Sequence, residues 1–159
     1  MQGVEAVRTA LMGTQHLVNW FLSDLTDADL VVRAVPGSNH IAWQMAHLIT
    51  SEAHLVHEQL PQAVFPELPA DFGAKHKDPQ SDHGMAKAVY LELFGKTREA
   101  TLAALGTLSD ADLDRPTVGK MAPFAPTLGA LLLLVSNHSL MHGGQFSVVR
   151  RKLGKPVLF

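Results

Sequence analysis

Leu25-Thr26-Asp27-Ala28-Asp29-Leu30 and Leu108-Ser109-Asp110-Ala111-Asp112-Leu113 share one pattern: a leucine, a hydroxyl residue, Asp-Ala-Asp and a second leucine. In each copy the hydroxyl can cap a short helix, and the second aspartate stands three residues on, where a capping box places its carboxylate. Taken as coincidence, these are two capped turns. Taken as a repeat, they are the same corner of two similar helical hairpins packed about an approximate two-fold axis. Each follows one long apolar-periodic segment and leads into another that carries histidines.

Four long helices flank these corners. The first is expected over 2–22, where Val4, Val7, Leu11, Leu17, Val18, Phe21 and Leu22 recur at helical spacing. The second is expected over 40–60, with Ser38 or Asn39 as its N-cap, Ile41, Met45, Leu48, Ile49, Leu55 and Val56 as its stripe, and Pro61 as its end. The third is expected over 82–106 behind a Ser81 cap, with Met85, Val89, Leu93, Phe94, Leu102 and Leu105 inward. The fourth is expected over 128–153, capped by Thr127 and stopped by Gly154 and Pro156, with Arg150, Arg151 and Lys152 at the negative end of its dipole. Between the second and third, Pro61, Pro66, Pro69, Gly73 and Pro79 mark an irregular connector. A helix of about 20 residues is about 30 Å long, and that connector can run back along it. The expected fold is therefore all-α, a four-helix bundle of up-down-down-up order, in one domain spanning residues 1–159.

Composition agrees with that class and removes others. At 159 residues the chain can bury a core without staples. Aromatics are only 6%, which disfavours a β-sandwich. A net charge of −2 does not suit a general nucleic-acid binder, so no nucleic-acid partner is expected. The apolar run Leu128 to Val135 is far short of the about 20 residues that span a bilayer. The N-terminus has no apolar signal region, so a cytoplasmic protein with no membrane partner is expected. With no cysteine, the chain has no thiolate ligand and no thiol nucleophile of its own.

Nine histidines are a high proportion for this length. His138 and His142 are four apart, so on a helix both imidazoles lie on one face, close enough to grip one ion at about 2.0–2.1 Å. The spacing alone is weak evidence, since two such rings can simply bond to solvent or neighbours. Their location in the most apolar helix adds weight, because uncompensated imidazoles are costly there. A third ligand must come from another helix. His40, His47, His54 and His57 are available on the second; His47 is central, His40 is expected exposed at the helix start, and His54 and His57 are expected solvated beside Glu52 and Glu58. His16 is a candidate fourth ligand, and His76 and His83 are expected at the surface.

Two segments resemble a known family. Pro36-Gly37-Ser38-Asn39-His40-Ile41-Ala42-Trp43-Gln44-Met45-Ala46-His47-Leu48 resembles the Pro-Gly…Ile-x-Trp-x-x-x-His-Leu segment of DinB-like (YfiT-type) proteins. His138-Ser139-Leu140-Met141-His142-Gly143-Gly144-Gln145, followed by Arg150-Arg151-Lys152-Leu153-Gly154-Lys155-Pro156, resembles their His-x-x-x-His-x-Gly-Gln…Arg-Arg…Leu-Gly-x-Pro ending. The resemblance runs from the first Leu-x-Asp-x-Asp-Leu corner to the C-terminus. It implies a four-helix bundle, often a homodimer, with a divalent ion held by His47, His138 and His142. Some members of that family are thiol-dependent transferases or isomerases that use a low-molecular-weight thiol.

The expected function is a metal-dependent transferase that joins a small thiol cosubstrate to an electrophilic small molecule. A metal-dependent hydrolase and a non-catalytic metal- or metabolite-binding bundle are the alternatives. Imidazole suits zinc, nickel, iron and copper, and zinc or nickel is the expected cofactor. Gln145, one turn past His142, and Trp43, one turn before His47, are candidate pocket or supporting residues. The chain after Asp114 has no acidic residue, so Arg150 and Arg151 are candidate contacts for a carboxylate on the thiol.

Overall fold

A computed structural model describes residues 2–82, 84–156 and 158. Its helices are α1 (Gly3–Leu22), α2 (Ile41–Gln59), a one-turn α3 (Phe72–Lys75), α4 (Lys87–Leu105) and α5 (Leu128–Lys152). Tight 3-10 turns follow α1 at Asp29–Val31 and α4 at Asp110–Asp114. Among the described residues there is no β-sheet, only an isolated bridge between Pro116 and Thr127. The long helices α1, α2, α4 and α5 form the bundle, with α1 on α5 and α4, and α2 on α4 and α5.

The two Asp-Ala-Asp corners do the same work. The Thr26 amide donates to Asp29 and the Asp29 amide to the Thr26 hydroxyl; Ser109 and Asp112 form the equivalent capping box. The first aspartate of each corner reaches across to the other hairpin. Asp110 accepts the Gly3 and Val4 amides at 3.0 and 2.8 Å, and Asp27 accepts the Lys87 amide at 2.7 Å. Each corner thus caps the free N-terminus of the helix that opens the other hairpin, α1 or α4. These amides have no partner within their own helix.

The core is two apolar layers around a polar waist. Leu11 on α1, Val56 on α2, Ala104 on α4 and Val135 on α5 belong to one layer; Val18, Ile49, Phe94 and Phe146 belong to the other. Along α1 and α5 the chain passes from the first layer to the second, and along α2 and α4 it passes back. The waist holds Arg98, fully buried, against Glu52, 3% exposed. The two make paired bonds of 2.8 and 2.9 Å. Thr101 also donates to Glu52, and Arg98 reaches the Thr14 hydroxyl, the Leu11 carbonyl and Ser139. One ion pair therefore ties all four long helices at a single height. Gly143 helps α5 approach α1 closely: a Cβ there would lie 2.8 Å from the end of the Leu17 side chain.

Several boundaries differ from the sequence reading. His40, not Ser38 or Asn39, is the N-cap of α2: its Nδ1 accepts the Trp43 amide while Nε2–H donates to the Ser81 carbonyl. It is buried, not exposed, because a ring with both nitrogens bonded can be enclosed. α4 begins at Lys87 rather than near residue 82, and Ser81 does not cap it, because the Asp27 carboxylate fixes its first turn. The connector is irregular as expected apart from α3. Thr127 caps α5. At the other end Gly154, at φ 69°, closes a Schellman motif in which the Lys155 amide bonds Arg150 and the Gly154 amide bonds Arg151.

Candidate metal centre

α2 and α5 pack together in opposite senses, and this brings His47 on the one to His138 and His142 on the other. One ring nitrogen of each lies within 4.8 Å of the others. Nε2 of His138 and Nε2 of His142 are 3.1 Å apart. Two ligands at about 2.0–2.1 Å from a tetrahedral ion would be about 3.3 Å apart, so these rings already have the separation of neighbouring ligands.

Gln44 settles the proton on His142. Its side-chain NH2 donates to the Asn39 carbonyl at 2.7 Å, so the amide oxygen must face the ring. Nδ1–H of His142 donates to that oxygen at 2.7 Å. Nε2 is left with its lone pair toward His138, as metal-binding histidines require of their second-shell partners. Ser51 Oγ lies 3.3 Å from Nδ1 of His47. Trp43 stacks on the His47 ring, 5.1 Å between centroids and 14° between planes, and limits how it can turn.

Burial keeps all three imidazoles neutral. Desolvation lowers the pKa of His47; desolvation and the charge of His47 lower that of His138. His142 is pushed down to about 4 by desolvation, then by His138 and His47. Neutral imidazole is the ligating form, so the set is ready for a divalent cation near pH 7. Among the described residues no fourth histidine or carboxylate joins the group. Three protein ligands with a remaining position fit the open rather than the closed pattern of zinc sites.

Two cavities border the triad, one at His138 and the other at His47. One of about 720 Å3 is bounded by His138, Ser51 and His54 and by apolar residues of α5. Another of about 230 Å3 is bounded by His47, Trp43, Thr50 and His76. His76 is half-buried, not at the surface as expected: Nδ1–H donates to the Phe72 carbonyl, and Nε2 accepts the Tyr90 hydroxyl at 2.6 Å. His83 lies outside the described residues.

Gln145 is exposed; the amide that serves the triad is Gln44. Arg150 is 1% exposed, and its guanidinium is taken up by Asp24 and by the Phe21 and Pro156 carbonyls. It holds the end of α5 to the end of α1 and has nothing left for a ligand, while Arg151 is exposed. Its bond to Asp24 lowers that carboxyl's pKa. His16 is exposed on α1 and stands outside the triad. His54 and His57 are exposed as expected, although His54 also borders the larger cavity. Gln44 was readable in principle, because an amide inside an apolar helix stripe must find buried partners.

Comparisons with known proteins agree with this architecture. The crystal structure of a conserved protein from Enterococcus faecalis superposes with a TM-score of 0.73 over 98% of this chain and 99% of that one, at 15% identity. That likeness is one of fold. A search of the curated proteins gave no match. The sequence profile of the DinB superfamily matches residues 10–146, a stretch that contains His47, His138 and His142. On that match, the chain belongs to the DinB superfamily.

Proposed function

We propose that His47, His138 and His142 hold one divalent ion, zinc or nickel, and that the protein is a metal-dependent transferase that joins a small thiol to an electrophilic small molecule. The observation that carries the reading is the triad itself: three neutral imidazoles, one locked by Gln44, with a ligand position left over and a cavity beside each of His138 and His47. A cation there would lower the pKa of a thiol or water brought to it, from about 8.5 or 15.7 toward neutrality.

The chain's own residues do the rest. His47 and His142 are kept in place by Trp43 and Gln44, so the ligand set needs little rearrangement on loading. The absence of cysteine means that the sulfur nucleophile arrives as a cosubstrate. In the transfer, the thiolate sulfur bonds to the electrophilic carbon, the leaving group departs with its electron pair, and the thiol proton passes to water. Two separate cavities at one centre favour two organic reactants over one reactant and water, which ranks transfer above hydrolysis.

The test uses monochlorobimane with a panel of small thiols. Zinc- or nickel-loaded protein is expected to accelerate conjugation with at least one thiol, and chelation or His138→Ala is expected to abolish the acceleration. A loaded protein that hydrolyses esters but conjugates no thiol would replace this reading with the hydrolase.

A further inference from the structure

The larger cavity specifies a class of molecule. At about 720 Å3 it falls within the range of about 300–1,000 Å3 typical of small-molecule sites. Leu55, Met121, Phe124, Leu133, Leu134 and Met141 make its apolar walls, and Ser51, His54, Asn137 and His138 contribute the polar atoms. Among the described residues, no Asp, Glu, Lys or Arg lines it. Away from His138, a charged group seated against these walls would shed water without meeting a counter-charge.

The walls are fixed in place. The segment that carries Met121 and Phe124 is pinned to α2 by a two-way amide pair: Gln59 donates to the Val118 carbonyl at 3.0 Å and accepts its amide at 2.9 Å. The Pro116–Thr127 bridge closes its base. Phe124 is 76% exposed and Met141 62%, so large apolar side chains face the opening. Along α5 the cavity runs from Ala130 to Met141, with His138 toward one end. From Ala130 to His138 is about 12 Å at 1.5 Å per residue, enough for two linked rings.

We propose that this cavity selects an uncharged, mainly apolar electrophile, with its body between Phe124, Met121 and α5 and its reacting end at His138. The reacting end rests on the proposed function; the selection for an uncharged body does not depend on the ion.

The test measures binding by calorimetry with two probes of one shape, biphenyl-4-carboxamide and biphenyl-4-carboxylate, on zinc-free and zinc-loaded protein. Zinc-free protein is expected to bind the amide at least about tenfold tighter than the carboxylate, a difference of about 1.4 kcal/mol or more. Ala130→Trp fills the end of the cavity far from His138 and is expected to weaken amide binding at least about tenfold, with zinc stoichiometry unchanged. Leu133→Lys, at an exposed position that tolerates a charge, is expected to shift the preference toward the carboxylate. The inference is overturned if neither probe binds, if zinc-free protein does not discriminate between them, or if Ala130→Trp and Leu133→Lys change only the oligomeric state, which would make the cavity an interface between copies. Loss of zinc binding with intact amide selectivity would sink the metal reading and leave this one standing.

Discussion

Replacing Gln44 with methionine separates the ligand-holding role of this residue from mere packing. Gln44 is 1% exposed and makes two bonds of 2.7 Å, one from His142 Nδ1–H and one to the Asn39 carbonyl. Methionine keeps the length and lack of branching but removes both partners. In the metal-free protein His142 can move its proton to Nε2. A metal-loaded His142 cannot, because Nε2 must give its lone pair to the ion, so Nδ1–H stays buried and unpaired. An orphaned buried donor costs about 1–3 kcal/mol, and that cost falls on the loaded state. We expect zinc affinity to fall by about 10–100-fold, or about 1.4–2.7 kcal/mol, measured by competition with a chromophoric chelator at neutral pH. Gln44→Glu is the control. It keeps an acceptor for His142 but sets a carboxylate oxygen against the Asn39 carbonyl, so it should lower thermal stability while largely preserving affinity. Wild-type zinc affinity in folded Gln44→Met protein would refute the reasoning.

Three further outcomes follow from the core and the caps. Glu52→Gln leaves Arg98 buried without its counter-charge and is expected to destabilise by about 3–5 kcal/mol, whereas Glu52→Leu with Arg98→Met should recover most of the loss; denaturant unfolding of the single and double variants decides this. Asp27→Ala removes the cap of α4 and should cost about 1 kcal/mol, and Asp110→Ala should act in the same direction on α1, both read as lowered thermal midpoints. Metal-free protein should lose stability on acidification. His142 titrates near 4 when folded against 6.5 when unfolded, so the unfolded state binds more protons between those values and stability falls as pH drops through that window. From pH 7 to pH 5 this amounts to about 2 kcal/mol, and His40, His47, His76 and His138 shift in the same direction. Stability that stays flat from pH 7 to pH 5 would contradict the buried, neutral triad.

The all-α class was legible because apolar spacing is a local signal, and the boundaries of α1 and α5 came within a residue or two. The start of α4 was not, because its cap, Asp27, is 60 residues away; local capping rules pointed to Ser81 instead. The capping box of each corner could be read, but not the reach of Asp27 and Asp110 across the molecule. His138 and His142 were paired by helical spacing, whereas His47 stood among four histidines until the family resemblance chose it. What chooses it physically is the opposed packing of α2 on α5, which no spacing within one helix reveals. Glu52 shows the same limit. Nothing local showed that it faces Arg98 in the waist. Arg150 looked like a free cation at a helix end, but Asp24 and two carbonyls enclose it.

The central claim is that three imidazoles from two helices share one cation and leave a position open. Anomalous diffraction at the zinc edge from crystals of zinc-loaded protein tests it most directly. The account predicts a single peak about 2.0–2.1 Å from one nitrogen each of His47, His138 and His142, with a non-protein ligand completing the set. A peak elsewhere, or a fourth protein ligand closing the site, would contradict it.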